Sequence, residues 1–285
     1  MLKTKTVILM KILIIVSILA LLISCETIVE QKIYLTDTLQ VINHDTVLID
    51  NTSVMEFADD SEIPDSIKNL YLFDAHVLAY RDMEKYDPEF LNKIQIDKKL
   101  IHNYYNALIH FYNNQTADCD SITKIFKIHT FSEIILHDLI IVPDSSNTWI
   151  ENWFSGNIKT GIKEVDSLIN EYGFSINSTS SYFGLRFVVI KSKKILNIKA
   201  VAWIFNKIEG IKYAEPNGYA GYGNDIKVFQ ERNKLQFVFA LNWGDCFAGC
   251  TAGHSWVFDI YYNGKIEFVT SGGVDVSDYY YFLSH

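Results

Sequence analysis

The sequence is short of basic residues. Its 285 residues include 25 Lys and Arg but 34 Asp and Glu, which gives a formal net charge of −9 at pH 7. An acidic chain is repelled by phosphate backbones, and no segment gathers its lysines into a basic stripe. We therefore expect no nucleic-acid partner.

Long apolar runs are also absent. The most apolar stretch, residues 12–23, is shorter than the roughly 20 residues that a membrane-spanning helix needs. It follows a segment that carries three lysines and no acid, and it ends in a small residue, Ser24, before Cys25. This order is typical of a secretory signal peptide, which we predict over residues 1–24.

The pair Ser24-Cys25 resembles the lipobox of bacterial lipoproteins. The resemblance implies that the Cys25 thiol carries a diacylglycerol and that the freed amine is acylated too, because two or more chains hold a protein firmly to a membrane. The next residue is Glu26 rather than Asp, so we expect an outer-membrane or cell-surface location. The alternative is an ordinary secretory signal or an uncleaved anchor, in which Cys25 carries no lipid.

Cleavage before Cys25 would leave 261 residues, enough for one large domain or two small ones. Because three lysines are removed, the remaining chain has 22 basic and 34 acidic residues, a net charge of about −12.

Cysteine is scarce. The four are Cys25, Cys119, Cys246 and Cys250. If Cys25 carries lipid, three remain in an exported protein, where disulfides persist. The simplest assignment is a disulfide between Cys246 and Cys250, which leaves the Cys119 thiol free.

Residues 25–63 are predicted to form a tether. They contain a short internal repeat, with Asp-Thr at residues 37–38 and again at 45–46, and an acidic cluster before Pro64. The alternative is a pair of strands or a short helix packed on the body, which the Thr and Val content also favours.

Residues 64–130 have helical periodicity. We predict a helix from Pro64 to about Arg81, with Ile67, Leu70, Tyr71 and Leu78 on one face. A second helix begins after Asp97, a suitable N-cap, and carries an apolar stripe from Leu100 to Tyr112. Residues 121–126 are predicted to form a further helical turn.

Residues 131–220 alternate between strand and helix patterns. The predicted elements are a strand at 134–142, a helix at 162–172 stopped by Gly173, strands at 175–181 and 185–190, a helix at 198–208 capped by Asn197, a strand at 212–215 and a turn at 216–218. This β-α-β-β-α-β order is the ferredoxin-like arrangement.

Within this unit, residues 165–218 resemble a subtilisin-type propeptide, above all in the run from Gly210 to Asn217, GIKYAEPN. The resemblance implies a small ferredoxin-like domain that binds or inhibits a protease, so a protease-like protein partner is expected. The chain lacks the Asp, His and Ser motif set of a subtilase, so the resemblance implies no protease activity.

Residues 221–285 are predicted to form antiparallel hairpins. Strands are expected at 235–243, 256–262 and 266–269, with Asn263-Gly264 as a two-residue hairpin turn. A Tyr-rich tail follows, which docks on the body or frays. The predicted class is α+β: an N-terminal helical region packed on a ferredoxin-like unit, which C-terminal antiparallel hairpins extend.

The segment 243–256 holds the densest group of residues with special chemistry. They are Trp243, Asp245, Cys246, Cys250, His254 and Trp256, with glycines at 244, 249 and 253. The segment resembles a family of exported and lipid-anchored bacterial proteins with a Gly-Asp-Cys-x-x-Gly-Cys loop. That resemblance implies a shared fold and no particular activity.

Three interpretations of this loop remain open. A Cys246–Cys250 disulfide would staple a glycine-rich loop. A metal ion would use Cys246, Cys250, His254 and Asp245 as ligands, although the spacing is not that of a standard zinc site. A nucleophilic thiol would need His254 as base and Asp245 as orienting group, together with a lowered thiol pKa and an open cleft.

Other candidates are weaker. His102 and His110 are eight residues apart, too far along a helix to share one metal ion. Residues 221–225 could cradle a calcium ion or a phosphate, but glycine with Asn and Asp is ordinary turn chemistry. Trp149, Trp153 and Phe154 would stack on sugar rings if exposed and belong to the core if buried.

The sequence favours a lipid-anchored envelope protein with a binding or structural role, no catalytic residues and no cofactor. The alternative is a thiol- or metal-dependent enzyme that acts at the loop between Asp245 and His254.

Overall fold

The computed structural model describes residues 54–56, 59–144, 147–182 and 185–284. The predicted signal peptide, Cys25 and most of the predicted tether lie outside these residues. The described part contains helices and two antiparallel four-stranded sheets, which confirms the α+β class. Within it, none of the helices combines the length and the apolar character needed to cross a membrane.

The chain folds in three sections. The first contains α1 (Asp65–Tyr86), a 3-10 turn (Phe90–Asn92), α2 (Lys98–Asn113), α3 (Ala117–Asp120) and a π-helical turn (Ser121–Ile125). The second contains β1 (Ile134–Pro143), α4 (Ile150–Phe154), α5 (Lys163–Tyr172), β2 (Ser175–Tyr182), β3 (Leu185–Lys191), α6 (Ile198–Phe205) and β4 (Ile211–Gly218). The third contains β5 (Asp225–Gln230), β6 (Lys234–Trp243), β7 (Ala252–Tyr261), β8 (Ile266–Gly273) and α7 (Val276–Ser284).

The first sheet has the strand order β2-β3-β1-β4, with every neighbouring pair antiparallel. This order, with α5 and α6 as the crossovers, confirms the ferredoxin-like arrangement. The helices bury Val165, Ile169, Val201 and Phe205 in one core with Val188 of the sheet. Gly173 ends α5 at φ 66°, the left-handed conformation that its position after the helix predicted.

The predicted turn at 216–218 is wrong, because β4 continues to Gly218. Pro216 pairs with Leu139 and Gly218 pairs with Ile134. β4 is an edge strand, where a residue without an N–H is tolerated if its nitrogen faces away from the neighbouring strand.

The second sheet is a meander, β5-β6-β7-β8, and it forms the other core with α1 and α2. Phe111 of α2 stacks on Phe239 at 4.6 Å between ring centroids and meets Phe258 edge-on at 4.9 Å. The packing therefore differs in two details from the prediction. The C-terminal strands form their own sheet instead of extending the first, and α1 and α2 cover that sheet, because its alternating Phe and Leu residues present a continuous apolar face.

The end of the predicted tether packs on α2. Met55 is fully buried, its N–H donates to Asn103 Oδ1 at 3.2 Å, and its carbonyl accepts from Asn106 Nδ2 at 2.5 Å. Asp60 accepts from the Tyr105 hydroxyl at 2.8 Å. The boundary of the body is thus wrong by about ten residues, because a single buried methionine and its backbone bonds leave no periodic pattern.

Two smaller predictions also need correction. The hairpin between β7 and β8 has a three-residue loop: Tyr261 N–H donates to Lys265 O at 2.9 Å, and Gly264 takes φ 86°. A left-handed glycine at the end of a three-residue loop is a common hairpin geometry. Helix α1 extends to Tyr86, and Leu70, expected on its buried face, is 45% exposed.

Candidate functional site

The cysteine loop connects β6 to β7 and spans residues 244–251. The Sγ atoms of Cys246 and Cys250 lie 2.07 Å apart, which is the length of a disulfide bond, as the number of cysteines predicted. Cys119 is buried in the helical core and unbonded. Asp245 and Phe247 of the loop are exposed, Phe247 by 80%.

A second loop, residues 219–223, packs directly on the cysteine loop. Tyr222 N–H donates to Cys246 O at 2.7 Å. A Cβ at Gly221, where φ is 101°, would lie 2.9 Å from the same oxygen, so only glycine allows this approach. The two loops therefore support one another through backbone contact, and Tyr222 beside them stays 57% exposed.

His254 and Trp256 belong to β7 and not to the cysteine loop. His254 Nδ1 is 2.9 Å from Val274 O, and its ring lies 4.6 Å from the Trp256 ring. Trp243 meets Tyr279 of α7 at 5.6 Å. Trp243 thus contacts the C-terminal helix, which docks on the body, one of the two expected outcomes for the tail.

This geometry gives the thiol and metal interpretations no support. A disulfide leaves neither sulfur free as a nucleophile or a ligand. Across the described ranges, no group of three or more His, Cys, Asp and Glu side chains could hold a metal ion.

The weaker candidates have structural partners. His102 Nε2 lies 2.9 Å from Asn106 Nδ2, and His110 Nε2 lies 2.7 Å from Gly264 O. Asp225 accepts from Arg81 at 3.0 Å and from Phe131 N at 3.0 Å. The indoles of the tryptophan pair are buried in the ferredoxin-like core with centroids 5.0 Å apart.

A surface that the sequence did not indicate is the face of the first sheet opposite α5 and α6. We call it the open face; it comprises Ile140, Val142, Phe187, Val189 and Tyr213. Along β1 and β3 these residues alternate with buried core residues, so they point away from the helices. Neither hydrophobic core of the described residues includes them.

The open face has a polar rim. Ser178 and Ser180 of β2 pair with Val189 and Phe187 at one side. On the other side the Tyr213 hydroxyl donates to the Glu215 carboxylate, and this bond raises the pKa of Tyr213. No local pattern indicates the open face, because β1 and β3 are continuous apolar runs that predict burial on both sides.

Comparisons of the chain with protein-family models, with curated proteins and with solved structures give no match. Any function must therefore be argued from the geometry of the chain itself.

Proposed function

We propose that this chain is an envelope protein, anchored by a lipid on Cys25, that binds a protein partner through its open face and has no catalytic role. The observation that carries the proposal is the contiguous apolar surface on β1, β3 and β4. Tyr213 is exposed and the other four residues are half-buried, and soluble proteins seldom leave a contiguous apolar sheet face even partly exposed unless something binds there.

The arrangement of the open face suits a protein more than a small molecule. Sheet faces are flat, and flat surfaces give affinity by burying area around a few anchoring side chains. Phe187 and Tyr213 supply aromatic anchors, and Val142 on the strand between them pairs with Tyr213, while Val189 and Ile140 pair directly in the adjacent row. The serines and Glu215 provide the polar rim typical of protein interfaces.

The proposal can be tested by site-specific photo-crosslinking in cells. We expect a photoreactive phenylalanine analogue at Tyr213 to give a discrete protein adduct. The same analogue at Phe268 is the matched control, because Phe268 lies on an edge strand of the other sheet. Its side chain is 49% exposed, close to the 45% of Tyr213. An adduct of twice the chain mass would identify the partner as a second copy.

A charge on the open face should abolish that adduct. Val189→Lys places an ammonium among apolar side chains, whereas Val269→Lys places one at an exposed valine of β8. Loss of the adduct with the first variant only would support the proposal. Equal adducts from Tyr213 and Phe268, or none from either, would contradict it.

The propeptide resemblance suggests one version of the partner, a subtilisin-type protease. Purified chain would then inhibit such a protease, and Val189→Lys would relieve the inhibition. Full protease activity at a large molar excess of the chain would rule out this version and leave the wider proposal to the crosslinking result.

A further inference from the structure

A cleft of about 400 Å³ opens where the two cores meet. It shares no residue with the open face. Its walls come from α1, the start of β1, the edge strand β5 and Lys199 of α6. The floor is apolar, with Val77, Leu78 and Val228 among its residues. This volume is within the range of small-ligand sites, which often lie at such junctions.

The outer edge of β5 has no neighbouring strand among the described residues. Glu231 N–H donates to Lys234 O, so the odd-numbered residues of β5 direct their backbone groups toward β6. The even-numbered residues direct theirs outward, as the Ile226 carbonyl does when it accepts from Arg81 at 3.0 Å. Val228 therefore presents an N–H and a carbonyl on the open edge, and no hydrogen bond to them is found among the described residues.

The lining of the cleft is also rich in charged side chains. Four cations line it with three acids, on a chain whose net charge is −9. Arg81 pairs with Asp225, and Lys199 pairs with Glu84. The ammonium groups of Lys85 and Lys227 have no carboxylate at ion-pair distance within the described ranges.

One acid of the cleft lining is buried and hydrogen-bonded within the protein. Asp82 is 8% exposed and accepts from Gln230 Nε2 at 2.6 Å and from the Tyr104 hydroxyl. Burial raises the pKa of this carboxyl above its ordinary value. Tyr80 lies on the same wall, and its buried hydroxyl has no hydrogen-bond partner in the described part of the chain.

We propose that the cleft binds a short extended peptide that pairs with the Val228 edge of β5 and places a carboxylate near Lys85 and Lys227. Val228 presents both a backbone donor and a backbone acceptor on this edge. A peptide strand would use both groups, whereas a simple carboxylate would use only the donor. The apolar floor receives a side chain of the peptide, and the two ammonium groups receive its terminal carboxylate or an acidic side chain.

The test is a fluorescence anisotropy titration of the full chain in detergent micelles. The probe is a fluorescein-labelled tetrapeptide pool with Ala, Val, Leu or Phe at each position and a free carboxyl end. We expect saturable binding, at least tenfold weaker for the same pool with an amidated end. A pool with Asp at its third position and an amidated end distinguishes a side-chain carboxylate from a terminal one. No saturable binding of any pool at millimolar concentration would overturn the proposal.

Two variants assign the binding to the cleft. Val228→Pro removes the outward N–H at an edge position, where proline is tolerated, and should weaken binding at least tenfold. Lys227→Glu should weaken it similarly, whereas Lys212→Glu, at an exposed lysine of β4, should not. If Val228→Pro does not fold, an N-methylated pool tests the companion bond of the same pairing, in which a peptide N–H donates to the Val228 carbonyl. Binding that survives both Lys227→Glu and N-methylation would place the peptide elsewhere and overturn the proposal.

Discussion

Gly221 is the residue at which the two loops at the cysteine end of the second sheet touch. It combines two requirements: a left-handed backbone at φ 101° and no room for a side chain, since a Cβ would lie 2.9 Å from Cys246 O. The nearby disulfide fixes the loop that carries this oxygen. The contact therefore cannot relax without moving one of the loops.

We predict that Gly221→Ala lowers the free energy of unfolding by about 2–4 kcal/mol, measured by urea denaturation. About 1–2 kcal/mol comes from the left-handed conformation, and the rest comes from displacement of the neighbouring loop. Gly156→Ala is the matched control, because Gly156 has φ 85° but open space around it. Equal losses in the two variants would mean that the loop contact contributes nothing.

Single residues at helix ends were the most predictable features of the chain. Asp97 accepts from the N–H groups of Lys99 and Leu100, as its place before an apolar stripe predicted. His254 was not predictable in this way. Its partner, Val274 O, is twenty residues away and meets it only because β7 and β8 pair.

At the scale of elements, α6 connects the two cores through its cap. Asn197 is fully buried; its Oδ1 accepts from Ala200 N at 3.2 Å, and its Nδ2 donates to Phe90 O at 2.7 Å and Lys93 O at 2.9 Å. Phe90 belongs to the helical core, while α6 belongs to the ferredoxin-like core. One side chain thus begins a helix and joins it to the other core.

We predict that Asn197→Ala lowers the free energy of unfolding by about 3 kcal/mol, since it removes a cap and the two hydrogen bonds to Phe90 O and Lys93 O. Asp97→Ala is the control and should cost about 1 kcal/mol, because Asp97 is an exposed cap. Chemical denaturation measures both. A loss for Asn197→Ala no larger than that of the control would show that the bonds to residues 90 and 93 add no stability.

The elements themselves were predictable where their pattern is local. The periodicity of α2 and the Asn-Gly turn signal gave elements of the correct type, because both depend on neighbouring residues. Helix α4 was missed, since its five residues are too few to show a period. β4 was cut short at Pro216, because the rule that proline ends a strand does not apply at an edge.

For the whole molecule, the cysteine assignments make a countable prediction. With lipid on Cys25 and a bond between Cys246 and Cys250, thiol titration of the denatured chain should find one thiol without reductant, that of Cys119, and three with it. Two thiols without reductant and four with it would show that Cys25 carries no lipid. Three thiols without reductant would contradict the disulfide.

The anchor has a direct control. Cys25→Ala should abolish palmitate labelling and release the chain from the membrane fraction, whereas Cys119→Ala should change neither. Unchanged labelling in the Cys25 variant would contradict the lipid anchor.

The sequence by itself determined the type and order of the main elements, the ferredoxin-like unit and the cysteine pair. These depend on periodicity, capping and spacing, which act over a few residues. Only the tertiary structure decided that the C-terminal strands form a separate sheet under α1 and α2. It alone created the open face and the cleft beside β5, because a surface is left uncovered by the placement of distant elements, and no local pattern records that placement.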